Sequence, residues 1–120
     1  MSELQAAANL FNEGRFLAAH EVLDDLWEET QGPEAEFYKG LIQACIALHH
    51  FQKGNLEGAA KLYRGHRRLL AGYLPRHRGL DLEAFLAGMA EALRPAVRGQ
   101  EGATLDPALV PPLAFSTQAG

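Results

Sequence analysis

Between Pro33 and Gln52 the chain is apolar nearly all the way round a helix: Phe37, Tyr38, Leu41, Ile42, Ala44, Cys45, Ile46, Ala47, Leu48 and Phe51 leave no wide polar face. A helix that merely lies on a protein surface shows one apolar stripe, so one that is apolar on several sides must be covered on several sides. That requirement predicts a central helix with other helices laid around it. Gly40, Ala44 and Ala47 give it a small-residue side that another backbone can approach closely.

The flanking segments supply the cover. Residues 3–12 read as a short first helix with Leu4, Ala7, Ala8 and Phe11 inward, stopped by Glu13-Gly14. A second helix runs from about Phe16 to Thr30 and ends at Gln-Gly-Pro, where proline can open the third. Lys53-Gly54-Asn55 ends the third helix, and Asn55 is a favoured cap for the fourth, over about Leu56 to Leu74. Its inward stripe reads as Leu56, Ala59, Ala60, Tyr63, Arg67, Leu70 and Leu74. After a loop from Pro75 to Leu80, Asp81 can cap a fifth helix with Leu82, Phe85, Leu86, Met89 and Leu93 inward, closed by Pro95 and Gly99. No period-two alternation occurs, so strands are not expected.

An internal echo supports paired helices. Phe11-x-x-Gly14-x-Phe16-x-x-Ala19-x-x-x-Leu23 recurs forty residues later as Phe51-x-x-Gly54-x-Leu56-x-x-Ala59-x-x-x-Tyr63. Each copy places an aromatic before a turn, glycine in it and a small residue where two helices would touch. This resembles the hairpin logic of tetratricopeptide repeats, with only two copies at a different spacing. The expected fold is all-α: two antiparallel helix hairpins plus a fifth helix in a compact bundle over residues 1–95. Residues 96–120 form a tail containing Pro and Gly. Its Leu105, Leu109, Val110, Leu113 and Phe115 argue for docking, as a strap on its own domain or an arm on a neighbouring subunit.

A length of 120 residues with 48% hydrophobic content suits one domain with its own core. The lone Cys45, in an apolar run, excludes an intrachain disulfide and fits a reducing compartment as a buried, inert thiol. The first residues lack the pattern of a signal peptide, and no apolar run approaches the ~20 residues of a membrane span. The expectation is a cytoplasmic protein with no membrane partner. A net charge of −4 speaks against a nucleic-acid binder. Yet charge is segregated: residues 1–36 hold nine carboxylates against Arg15 alone, whereas residues 61–78 hold Lys61, Arg64, Arg67, Arg68, Arg76 and Arg78 with no acid. The two segments can meet an outside partner, each other within the fold, or each other across a homo-oligomer.

Function is sought on the second helix. At ~100° per residue Phe16, Leu17, His20, Leu23, Asp24 and Trp27 share one side, bordered by Glu21 and Glu28. His20 and Asp24, one turn apart, are neighbours. If the second and third helices pack antiparallel, the pair meets Gln43 and His49 or His50, giving a polar pocket of His20, Glu21, Asp24, Trp27, Gln43, His49 and His50. Three chemistries compete for it. A satisfied hydrogen-bond network that locks helix register, with Trp27 as core, is the favoured one. A metal site would use His20, Asp24 and His50; the His20-to-Asp24 spacing suits ligands, but neither the zinc-protease nor the di-iron helix motif is present. A carboxylate-held histidine can also work as an acid–base group, although no serine or threonine lies in the helical core to act with it. The sequence names no cofactor and no small-molecule ligand. Arg64, Arg67 and Arg68, with His66, Tyr73, His77, Arg76 and Arg78, form a further candidate, an anion- or partner-binding face on the fourth helix.

These residues together resemble the domain-of-unknown-function family 309, small helical proteins of bacteria and archaea. The match rests on Phe11-Asn12-x-Gly14-x-Phe16-x-x-Ala19-His20-Glu21-x-Leu23 with Trp27. It continues through Gly40-Leu41-Ile42-Gln43-x-x-x-Ala47-x-His49-His50 and Gly54-Asn55-x-x-Gly58-Ala59, covering about residues 4–74. The family often has glutamate where this chain has Asp24. The resemblance implies an all-helical bundle with no established activity, and marks His20, Glu21, Asp24, Trp27, Gln43, His49, His50 and Asn55 as motif members.

Overall fold

The computed structural model describes residues 2–115. Five helices follow in order: α1 (Glu3–Asn12), α2 (Phe16–Glu28), α3 (Pro33–Gln52), α4 (Leu56–Leu70) and α5 (Leu82–Val97). As the all-round apolar pattern requires, α3 is central. It packs along α2 on one side and α4 on the other, and also meets α5. Ten of its residues from Phe37 to Phe51 are buried, and its half-exposed positions reduce to Gln43, Ile46, His49 and His50 between exposed Lys39 and Lys53. At its small-residue side, a Cβ built on Gly40 would lie 2.6 Å from Leu70 Cγ, so glycine lets α4 come this close.

The echoed motif is one turn used twice. Gly14 and Gly54 both have φ +80°, the left-handed conformation that glycine adopts without steric cost. In each turn the residue after the glycine donates five positions back, Arg15 to the Leu10 carbonyl and Asn55 to that of His50, both at 2.9 Å. This is the helix-stop geometry that satisfies carbonyls otherwise left bare. Phe11 and Phe51 before the turns, and Ala19 and Ala59 after them, are all buried. Identical turns at forty-residue spacing set α2 and α4 alongside their preceding helices.

The structure departs from the expected outline in several places. Helix α2 ends at Glu28 and α4 at Leu70, the latter continuing as a short 3-10 turn over Ala71–Tyr73. A two-stranded antiparallel ribbon does exist, β1 (Arg76–His77) with β2 (Leu80–Asp81), paired Arg76↔Asp81 and His77↔Leu80. Arg78 and Gly79, both at positive φ, make its two-residue turn. Strands two residues long carry no periodicity, which is why alternation could not reveal them. Asp81 does cap α5, its Oδ1 accepting from Ala84 N at 3.0 Å. Pro95 does not close that helix but lies in its last turn, and α5 runs on to Val97.

The ribbon is held to the start of α3. Glu34 accepts from His77 Nε2 at 2.7 Å and from Arg78 Nη1 at 2.8 Å, and the His77 ring sits 4.4 Å from that of Phe37. One part of the basic segment therefore does meet an acid of the first thirty-six residues within the fold. On the back of the molecule the segment after α5 lies along the bundle. Pro111 packs against Gly88 of α5, Leu113 is 1% exposed, and Phe115 meets the Phe37 ring. Asn12 clasps this segment with both ends of its amide, donating to Leu113 O at 2.9 Å and accepting from Leu113 N at 2.8 Å. The part of the tail at 116–120 lies outside the described residues.

Replacing Asn12 by Ala removes both bonds and leaves two backbone groups of Leu113 without partners. The expected loss is about 1–3 kcal/mol of stability, with faster proteolysis after Val97 than in the parent. A variant with unchanged melting temperature and unchanged cleavage rate would contradict the clasp.

Candidate functional site

Helix α2 buries Phe16, Ala19 and Leu23, with Val22 and Leu26 packed against the core beside them. The buried stripe is therefore turned away from the one anticipated. Leu17 is 48% and Trp27 37% exposed, so Trp27 is not a core residue. The reason is geometric: α1 and α3 hold α2 from two sides, and that centres burial on Ala19 and Leu23 rather than on the most apolar arc.

His20 and Asp24 lie at the border of this stripe, both half-buried, and Glu21 is exposed. Among the described residues the Asp24 carboxylate makes no ion pair or side-chain hydrogen bond, so the one-turn neighbours His20 and Asp24 are not bonded to each other. His20 Nδ1 is cut off from solvent and has no hydrogen-bond partner among the described residues. Its neighbour across the helix pair is His49, whose pKa is lowered by partial burial first, then by the nearby Lys53, His50 and His20. Across the α2–α3 seam the two imidazoles thus stand within electrostatic reach of each other.

His50 turns the other way, towards α4. Asn55 Nδ2 lies 3.3 Å from His50 Nδ1, while Asn55 Oδ1 accepts from Gly58 N at 2.9 Å. With the amide oxygen committed to capping α4, the amide nitrogen donates, and His50 Nδ1 accepts. His50 is thereby set as the tautomer protonated on Nε2. The rings of His49 and His50 are 6.5 Å apart. Gln43 is two turns further along α3, and its amide occupies the space that a Cβ on Gly65 of α4 would fill. Of the expected pocket, then, His49 lies between His20 on one side and His50 on the other, whereas His50 and Gln43 face α4 and Asp24 makes no bond to the His20 imidazole among the described residues. Among the described residues no three His, Cys, Asp or Glu side chains gather closely enough to hold a metal ion, so His20, Asp24 and His50 do not form the anticipated ligand set. These histidines line none of the cavities found among the described residues: two of about 440 and 460 Å³ lie between the glycine turns and the tail, lined by Phe11, Phe16, Gln52, Leu105 and Pro107 among others, and one of about 690 Å³ lies between α4 and the end of α5, lined by Lys61, Arg64, Val97 and Glu101 among others.

The basic helix also resolves into parts. Arg67 reaches sideways, donating to Leu86 O of α5 at 3.1 Å with its guanidinium over the Tyr63 ring. It is a joint between α4 and α5, not a free cation. Arg76 is near Asp81, and Arg78 is held by Glu34. Lys61, Arg64 and Arg68 remain exposed and without ion pairs among the described residues. His66, expected on the basic face, is fully buried. Its Nδ1–H donates to Tyr63 O, leaving Nε2 as an unpartnered acceptor. Burial holds its pKa down to about 4, with the nearby Arg67 acting in the same direction and the bond to Tyr63 opposing. The signal that finds it is the spacing Ala59, Tyr63, His66, Leu70, an inward arc offset by one residue from the stripe through Arg67.

The sequence model of the family described as "Domain of unknown function (DUF309)" matches residues 4–62, that is α1, α2, α3 and the first half of α4. The resemblance drawn from the motif residues is shown by that match. An "Uncharacterized protein" of Aquifex aeolicus (strain VF5) is 34% identical over 91 residues, 75% of this chain and 27% of the relative. The chain therefore spans about a quarter of the length of that relative. Both the glycine turns and the half-exposed His20, His49 and His50 fall inside the matched region, as does Asn12, while half-exposed His77, α5 and the tail segment that Asn12 clasps lie beyond it.

His66 makes stability depend on pH in a defined direction. Unfolded, the imidazole takes a proton at about its ordinary 6.5; folded, only near 4. The unfolded chain binds more protons between these values, so stability is full above pH 6.5 and lost as pH falls towards 4. The slope approaches about 1.4 kcal/mol per pH unit. In chemical denaturation the His66→Leu variant should lack this fall between pH 6.5 and 5. Equal pH slopes in parent and variant would contradict the assignment.

Proposed function

We propose that this chain is a ligand-recognition module whose site is the polar seam of His20 and His49 between α2 and α3, bordered by Glu21 and Asp24, with His50 beside His49 on the α4 side. The observation that carries the reading is His20 Nδ1, shielded from water yet without a partner among the described residues. A buried polar atom left unpaired costs about 1–3 kcal/mol, and a bound group that hydrogen-bonds to it recovers that cost. His49, held towards its neutral form, keeps one ring nitrogen as an acceptor beside it. The acidic edge of α2 favours a ligand that carries N–H donors or positive charge. Binding fits this arrangement better than proton transfer, because the Asp24 carboxylate is not on the imidazole it would have to steer.

No described helix is long and apolar enough to cross a membrane. The single buried thiol of Cys45, pushed up to about 12 by burial, fits a reducing cytoplasmic setting.

The test uses His20→Ala and side-chain NMR of the histidines during titration with small alkylamines and methylguanidinium. The expected result is perturbation of the His20 and His49 resonances in the parent, lost in the variant, with stability unchanged or raised. If the variant loses more than about 2 kcal/mol of stability and none of these probes moves the parent's signals, the seam is a structural network instead.

A further inference from the structure

Helices α2 and α4 flank α3, and each leaves a row of charge on the outside of the molecule. On α2, Glu21, Asp24, Asp25, Glu28 and Glu29 have no ion pair among the described residues. On α4, the same is true of Lys61, Arg64 and Arg68. The fold offers these rows no way to meet, because α3 stands between them. Between the rows runs the half-buried stripe of α3, with Gln43, Ile46, His49 and His50, and half-buried Leu62 and Leu69 of α4 beside it; Lys61 and Arg64 stand beyond these on α4, where they also border a cavity against Val97 of α5. Leu17 and Trp27 add exposed apolar surface on the acidic side.

We propose that this face binds a second copy of the chain, the acidic edge of α2 in each copy lying on the basic edge of α4 in the other. The inference rests on reading the α2–α3–α4 face as a binding surface and names one partner for it. The charge pattern selects the symmetry. A two-fold axis running along α3 places each α2 over the partner's α4 and closes both rows at once, so the contact is isologous. An axis across α3 would set α2 on α2 and bring acid onto acid, and the pattern opposes it. A nucleic acid would satisfy α4 alone and be repelled by the carboxylates of α2 on the same face.

The area sets the strength. Three helices about 10 Å apart that overlap over some 20 Å present roughly 600 Å² per copy. That is below the ~800 Å² per partner of a standard stable interface, so association is weak and leans on its charges. The half-buried floor of α3 would be roofed in the pair, enclosing the histidine seam between the copies.

Analytical ultracentrifugation over a concentration series, at low and high salt, tests this on the full chain. The parent should dimerise reversibly, at least tenfold more weakly in ~0.5 M than in ~0.05 M salt. Arg64→Glu with Arg68→Glu should be monomeric, as should Glu21→Lys with Asp25→Lys. An equimolar mixture of the two variants should associate, because the acid-only and base-only faces then match twice. Circular dichroism melts on each variant establish that it is folded. A parent that stays monomeric at low salt, variants that dimerise like the parent, or a mixture that stays monomeric would overturn the proposal. So would oligouridylate binding by a monomeric parent that is lost in the Arg64/Arg68 variant. Amine titration of the two charge variants, whose histidines are intact, separates this from the ligand reading: loss of association with His20 and His49 signals that still move keeps the seam and the pairing independent, whereas a parent that dimerises while its signals stay still sinks the ligand reading alone.

Discussion

Water reaches α3 along one narrow stripe, and the other elements are placed to keep it from the rest. The constraint comes from the side chains: a twenty-residue helix with Phe, Leu, Ile, Tyr and Cys on nearly every side is stable only inside other structure. Two helices are delivered to its flanks by two copies of one turn, at Gly14 and Gly54. Helix α5 and the clasped tail complete the back, where Leu82, Met89, Leu93 and Leu113 join the same core as Leu41 and Leu48. What is left for function is what this covering leaves open.

That open remainder explains where polar groups go. Three histidines of α2 and α3 sit at the edges of the covered zone, and each has a different local fate. His20 keeps an unpaired nitrogen, His49 is held towards neutrality by partial burial and neighbouring charge, and His50 is fixed as one tautomer by Asn55. A fourth, His77, is held by Glu34 at the ribbon, and the fifth, His66, is sealed inside with the Tyr63 carbonyl as its hydrogen-bond partner among the described residues. Segregation of charge follows from the same layout. Side chains that cannot enter the core must line the outer edges of α2 and α4, and α3 keeps the two rows apart.

Much of this was legible in the residues. The breadth of the apolar pattern in α3 identified the central helix, the Phe-Gly-Ala echo identified the turns, and Asn55 and Asp81 marked helix starts where they are found. The DUF309 resemblance was carried by the same letters. What escaped was set by tertiary geometry. Periodicity gives an apolar arc but not the angle at which neighbours press on it, so Trp27 was assigned to the core and His66 to the surface. The His20–Asp24 contact failed for the same reason: neighbouring positions on a helix permit a bond, but the environment decides whether it forms. The Asn12–Leu113 clasp joins residues 101 apart, and no local pattern could announce it. The ribbon at 76–81 was too short to show a period.

The arrangement of the histidines is the part of the account from which the rest follows, and nitrogen-detected NMR of their rings across pH reads it directly. The account predicts His66 neutral and protonated on Nδ1 down to about pH 5, given its pKa near 4. It further predicts His50 protonated on Nε2 when neutral, and His49 titrating below the ordinary histidine value. A spectrum in which His66 takes up its proton at the ordinary value of 6.5, or in which His50 carries its proton on Nδ1, would contradict it.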